Sequence, residues 1–244
     1  MSEQKTVVVI GGSGGIGRAI VDVLMKDEFI VHATFFSQDE LLHKASGADR
    51  LFWHKLDATE AVAVADLWKV ILKTSPTING VVFVATLPTA YHPLMKLDWK
   101  DFTAHFNVQV GTFFHTLAAL RENLSAIGPC QFIPILTEYC QGRPPAGLSD
   151  YVAAKMALQG FARTMVAELA KYGCRVNMIS PGITLTELTS SLPPKFLEIA
   201  AEQNPLKRLA QSTDVAAVVK FLLSEQAAYL NGVNIPVNGG STVQ

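Results

Sequence analysis

The chain has 244 residues, 49% of them hydrophobic, with 20 Lys and Arg against 21 Asp and Glu. That length supports one sizeable core, and a net charge near zero with no basic run excludes an electrostatic grip on nucleic acid or anionic lipid. Three cysteines, Cys130, Cys140 and Cys174, fit neither a metal spacing nor a disulfide framework, and read as reduced structural thiols.

The N-terminal "MSEQKT" passes directly into "VVVIGG" without signal-peptide architecture, and the apolar stretches are too short to span a bilayer, so a cytoplasmic protein is expected. Along the chain, β-branched runs at 6–10, 30–35, 51–56, 81–85, 131–136, 174–179 and 233–237 predict buried strands. Apolar residues at three-four spacing over 16–26, 59–73, 98–125, 150–171 and 213–223 predict helices. This alternation implies right-handed βαβ crossovers. The expected fold class is α/β: a doubly wound domain whose seven-stranded parallel sheet carries helices on both faces. No linker or repeat divides residues 1–244, which are read as a single domain. Some polar residues read as punctuation. Ser37 and Glu40 have capping-box spacing, and Ser212 and Thr213 suit a helix start. His32, His43, His54, His92, His105 and His115 are scattered and read as surface or satisfied core groups.

The first strand leads into "GGSGGIG", residues 11–17. Glycine permits the positive φ of a tight turn and close approach of backbone amides to a pyrophosphate, while the following helix offers its free N–H groups. Gly11, Ser13, Gly14, Gly15, Ile16 and Gly17 are therefore candidate dinucleotide contacts, in a Rossmann arrangement. At the end of the second strand Thr34 stands where a carboxylate would hold a ribose 2′-hydroxyl and repel a 2′-phosphate. Asp39 and Glu40 come later. With no acid at 34, and Ser37 as a further ribose-end candidate, NADP(H) is favoured and NAD(H) stays open.

Tyr151 and Lys155 share one face of the 150–171 helix. A free phenol titrates near about 10. A lysine ammonium one turn away, with the charge of an oxidised nicotinamide, pulls that value towards neutrality. Taken alone, the pair also suits an ordinary amphipathic helix in which Tyr151 packs and Lys155 is solvated.

Together, these features resemble the short-chain dehydrogenase/reductase family, from about residue 5 to residue 242. The resemblance rests on the glycine turn, "LDATE", "NVQVGTFF", Tyr151-x-x-x-Lys155, "RVNMISPGITLTEL" and the C-terminal "NGG" region. It implies adenine contacts at Asp57 and Ala58, a cofactor-side contact at Ala85, and nicotinamide contacts at Ile183 and Thr186. It also implies catalytic roles for Asn107, Tyr151 and Lys155, with Asn107 bending its helix and holding a water that links Lys155 to solvent. The implied activity is hydride transfer between NAD(P)(H) and a small-molecule carbonyl or alcohol, in a homotetramer or homodimer. The nearest flavour is the 3-oxoacyl-acyl-carrier-protein reductases. A tyrosine–lysine spacing of four argues against the bacterial enoyl reductases. The rivals are an NAD-linked alcohol dehydrogenase and a non-catalytic dinucleotide-binding subunit.

Three departures stand out. Ile10 replaces a threonine, and "FVAT" (83–86) replaces Asn-Asn-Ala-Gly, keeping Ala85. Counting back from Tyr151 puts Glu138 at the family's serine, where a carboxylate would repel a developing alkoxide. Thr137, one residue earlier, supplies a hydroxyl donor, and "GRPPAG" can absorb one extra residue, so Thr137 is favoured. Residues 186–208 resemble the family's substrate lid, with Leu192, Phe196, Leu197 and Ile199 as candidate lining. Segment 87–95 and Tyr139-Cys140 are expected beside them. "GPCQFIP" lacks the arginine that carrier-protein reductases often place before this strand.

Overall fold

The computed structural model describes residues 4–37, 49–89, 91–187, 189 and 192–243. Glu40, Asp39 and His43 lie outside the described residues. β1 (Thr6–Ile10) runs into α1 (Gly15–Lys26), then come β2 (Ile30–Phe35), β3 (Leu51–Lys55), α2 (Ala61–Thr74) and β4 (Gly80–Phe83). α3 (Trp99–Phe106), a π turn (Asn107–Gly111) and α4 (Thr112–Leu120) lead to β5 (Gln131–Pro134). α5 (Ser149–Ala170) precedes β6 (Arg175–Val176), β7 (Met178–Pro181) and β8 (Thr184–Leu185). α6 (Pro194–Gln203), β9 (Ala210–Gln211), α7 (Ser212–Leu222) and β10 (Asn234–Val237) complete the order.

Six strands form a parallel sheet in the order β3-β2-β1-β4-β5-β6. β7 continues the line of β6 past Asn177 and pairs in parallel with β10. A parallel bridge between Ile135 and Ile179 ties that pair to the β5 side. Asn177 is buried at the break, where its amide donates to Gln131 Oε1 at 3.2 Å and to the Leu230 carbonyl at 2.8 Å. The seven expected strand positions are thus present, the sixth in two pieces.

The strand period decides the layers. In β1, Val8 and Ile10 face a core shared with Trp68, Phe113 and Leu158. Val7 and Val9 face the opposite core, with Ile20, Leu24, Val215 and Val219. Each such side chain, removed from water, contributes about 1.5–3 kcal/mol. Burial on both sides explains why these strands read as continuous apolar runs. The chain goes from β1 to β2 on one side and to β4 on the other, so a crevice opens at the carboxyl ends of the central strands.

Two local expectations change. The helix expected over 98–125 is interrupted at the π turn and ends at Leu120. The α7 start is capped by Gln211, ahead of Ser212 and Thr213, and Asp214 accepts the Gln211 N–H at 2.8 Å. Among the described residues, no helix is long and apolar enough to cross a membrane.

Candidate active site

A cavity of about 550 Å³ occupies this crevice. One end is the glycine turn. Gly11 has φ +91°, and a Cβ there would lie 2.5 Å from the Ala85 nitrogen, so only glycine fits. A Cβ on Gly15 would meet the Thr186 side chain at 2.7 Å. Gly17 does not line the cavity. A Cβ there would run into the Gly11 carbonyl, so this glycine serves the close packing of α1 on the turn. The α1 N-terminus has Gly14 as its cap, no side-chain cap bond and no acid in its first turn. Its amides and positive dipole end are therefore free for an anion, and they fit a dinucleotide pyrophosphate. Ser13, Gly14, Gly15 and Ile16 line the cavity here.

Thr34 borders the cavity but is buried, and its hydroxyl accepts the Gly11 N–H at 3.0 Å. It shapes the turn from below. Ser37 and the exposed Phe36 stand further out, and Asp57 and Ala58 form the adjoining wall. The tie that an asparagine would supply at "FVAT" comes from the backbone, since the Val84 and Ala85 N–H groups both donate to the Ile10 carbonyl at 2.9 Å. Ile183 and Thr186 enter from the segment after β7.

At the other end, Thr137 follows β5 and caps a single turn over Glu138–Cys140. Its side chain lies beside Tyr151 on α5 and acts to lower the phenol. Glu138 is buried, with its carboxylate turned away onto the Ser241 hydroxyl. The chain thus presents a hydroxyl, not a carboxylate, to the tyrosine. One helical turn along, Lys155 is buried, donates to the Ile135 carbonyl at 2.7 Å and lies 5.7 Å from the centre of the Tyr151 ring. Burial pushes the Tyr151 phenol above its usual range, against the smaller opposing effect of Thr137. Burial also lowers Lys155 to about 8. The expected pull from Lys155 does not offset burial, and the pull of an oxidised nicotinamide belongs to the loaded enzyme. A backbone carbonyl holds the ammonium.

Asn107 opens the π turn, at the place where the resemblance puts a bend in the helix; its side chain is exposed, and Val108 is the residue of the turn that lines the cavity. The turn buries Gln109, which with His105 on α3 and Asp150 on α5 forms a polar group beside Tyr151. Of these three, the sequence singles out only His105, as a surface or satisfied core group, and the structure places it in the core. The available signal was polar side chains at apolar-face spacing.

Tyr91, Tyr139, Leu148, Leu192 and Phe196 line the outer part of the cavity, whereas Leu197, Ile199 and Cys140 do not. Lys155 is the one cationic side chain among the described lining residues.

The family model described as Enoyl-(Acyl carrier protein) reductase matches residues 11–242. A 3-oxoacyl-[acyl-carrier-protein] reductase, MabA, of Mycobacterium tuberculosis is 30% identical over 241 residues, 97% of this chain and 92% of the relative. An acetoacetyl-CoA reductase of Allochromatium vinosum is 26% identical over 97% of this chain and 98% of its own length. The crystal structure of a short-chain dehydrogenase/reductase, glucose/ribitol dehydrogenase, from Brucella melitensis superposes with a TM-score of 0.92 at 27% identity, covering 99% of this chain and 98% of that one. With a family model spanning nearly its whole length and relatives aligned end to end, the chain belongs to the short-chain dehydrogenase/reductase family, NAD(P)-dependent oxidoreductases acting on a carbonyl or alcohol group.

Proposed function

We propose that the protein reduces a ketone, of the 3-oxoacyl class or a related small molecule, to an alcohol, with Tyr151 as the proton donor. The observation that carries this reading is the convergence of Thr137, Tyr151 and Lys155 on a cavity continuous with the open N-terminus of α1. Thr137 and Tyr151 hydrogen-bond the carbonyl oxygen, and Tyr151 gives up its proton as negative charge develops there. A phenol held above its usual range stays protonated at neutral pH, which suits donation. Lys155 holds the ribose hydroxyls and supports Tyr151 with its charge. Gly11, Ser13–Ile16, Asp57, Ala58, Ala85, Ile183 and Thr186 hold the dinucleotide. When bound, the nicotinamide supplies the hydride. The apolar outer cavity receives the rest of the substrate, and residues 186–208 act as its lid, through Leu192 and Phe196.

NADP(H) is the preferred cofactor in this reading, because no carboxylate lines the cavity over 34–37 to repel a 2′-phosphate. The exposed Phe106, Phe114 and Met156, on α3, α4 and α5, are the contact face of a homodimer or homotetramer. Separate titrations with NADPH and NADH, followed by nicotinamide fluorescence, test the cofactor. Tighter binding of NADH would overturn the preference. Carbonyl turnover by wild type and Tyr151→Phe tests the chemistry: the variant binds nucleotide but does not turn over, and undiminished turnover would refute the mechanism.

A further inference from the structure

We infer that His105, fixed by Gln109 from the π turn, is a positioning residue for Tyr151. The inference rests on Tyr151 as the proton donor. Gln109 donates through Nε2 to Thr86 Oγ1 at 3.0 Å and meets His105 Nδ1 at 3.2 Å. The Thr86 hydroxyl donates to the Leu87 carbonyl at 3.3 Å, so its oxygen is left to accept from Gln109. That sets the amide: its nitrogen faces His105, and His105 Nδ1 is the acceptor. The imidazole proton then sits on Nε2, which points to Asp150 Oδ2 at 4.0 Å. Hydrogen-bonded on its Nδ1 side and facing the Asp150 carboxylate on the other, the imidazole packs edge-on against the Tyr151 ring, with centroids 5.4 Å apart and planes at 76°.

Gln109, His105 and Asp150 are 2%, 4% and 7% exposed. Gln109 Oε1 and Asp150 Oδ1 have no hydrogen-bond partner among the described residues. A buried polar atom left in that state is costly, so an apolar trio would pack with less penalty. What the polar trio supplies is one tautomer and one orientation for the ring that braces Tyr151. The Thr86–Gln109 bond also ties the "FVAT" turn to the π turn.

The ionisable groups facing His105 are Asp150, Tyr151 and Lys155, all on α5. Burial and Lys155 favour the neutral imidazole and Asp150 opposes them, so the neutral form holds near neutrality. Protonation in acid puts a hydrogen on Nδ1, where the Gln109 amide already points one. Two donors then face each other, and the ring must move.

The test is steady-state reduction by His105→Asn and Gln109→Leu across pH, with nucleotide affinity by fluorescence and thermal melts measured in parallel. Each variant is expected to lose about ten- to a hundredfold in kcat, with nucleotide affinity unchanged. His105→Asn should also flatten the acid limb of the kcat profile. Unchanged kcat in both variants would overturn the inference. So would a joint fall of kcat, affinity and melting temperature with the acid limb intact, which marks a purely structural role. Turnover by Tyr151→Phe alongside would instead show that the reading of the site itself had failed.

Discussion

At the residue scale, Thr137 and Glu138 stand side by side with opposite assignments. One residue of slack in the 141–147 loop decides which of them meets Tyr151, and chain counting cannot see that slack. The structure puts the Thr137 side chain on Tyr151 and the Glu138 carboxylate on Ser241. Thr137→Ala is therefore expected to lower kcat by about tenfold or more while sparing the fold, since it removes one donor to a developing oxyanion. Glu138→Ala should behave in the opposite sense. It removes a hydrogen bond whose exposed Ser241 partner can turn to water, a loss of about 0.5–1.5 kcal/mol, and the melting temperature should fall by roughly 1–6 °C with a smaller effect on kcat. Assays and melts on the two variants separate the assignments, and a kcat loss confined to Glu138→Ala would reverse them. The raised phenol of Tyr151 gives a directional pH prediction as well. Reduction uses the protonated phenol and should hold steady through neutral pH. Alcohol oxidation uses the phenolate and should climb by about tenfold per pH unit into the alkaline range. A reverse reaction already at its plateau at neutral pH would show that the phenol is not raised in the working complex.

At the element scale, the strands and most helices could be read from hydrophobic period, because that period is written locally and both faces of the sheet are buried. The glycine turn was readable for the same reason: Gly11 needs positive φ whatever else surrounds it. The π turn was expected only as a bend at Asn107, through the resemblance; apolar residues at three-four spacing continue on both sides of it, so the burial of Gln109 leaves little trace in the pattern. Another unread feature lies between β2 and β3. His32 Nδ1 and His54 Nε2 are 3.0 Å apart, and His32 Nε2 meets the Ser75 hydroxyl at 3.1 Å. Burial, with a smaller contribution from His54, lowers His32 to about 4, and burial lowers His54 as well. An unfolded histidine titrates near about 6.5. Between those values the unfolded chain binds the extra proton, so stability falls as pH drops from about 6.5 towards about 4 and is constant above that window. His32→Asn, which does not titrate, should melt at a lower temperature than wild type at neutral pH but lose less on transfer to pH about 5. Parallel melting curves at the two pH values check this, and equal losses in both proteins would refute it.

At the scale of the whole molecule, what could not be read is contact between distant parts of the chain. Glu138 and Ser241 are 103 residues apart, and no local pattern announces their meeting. Around that bond the C-terminal segment joins the Thr137 turn to the proposed lid. Asn204, at the end of α6 in the proposed lid, donates to the Asn238 carbonyl at 2.8 Å, and Asn238 donates to the Thr242 carbonyl at 3.0 Å. Gly142, just after the Thr137 turn, comes so close to the tail that a Cβ there would lie 2.8 Å from Thr242 Oγ1. The tail therefore fixes the loop carrying Thr137 and Tyr139 on one side and the root of the lid on the other. The glycine turn makes its contacts elsewhere, with Ala85, Thr34 and the first lid residue, Thr186, at the opposite end of the lid from Asn204. Truncation after Asn238 should then separate the two halves of the site. Nucleotide affinity by fluorescence should stay close to wild type, because the α1 end is intact. Turnover should fall by about a hundredfold, the scale expected when a catalytic hydroxyl is misplaced by about an ångström. The single change Ser241→Ala should give a smaller loss in the same direction, because Glu138 then lacks its partner while the backbone contacts of the tail persist. If the truncated protein instead bound nucleotide poorly and turned over normally once saturated, the tail would be bracing the cofactor end, and the division of the cavity drawn from these contacts would be wrong.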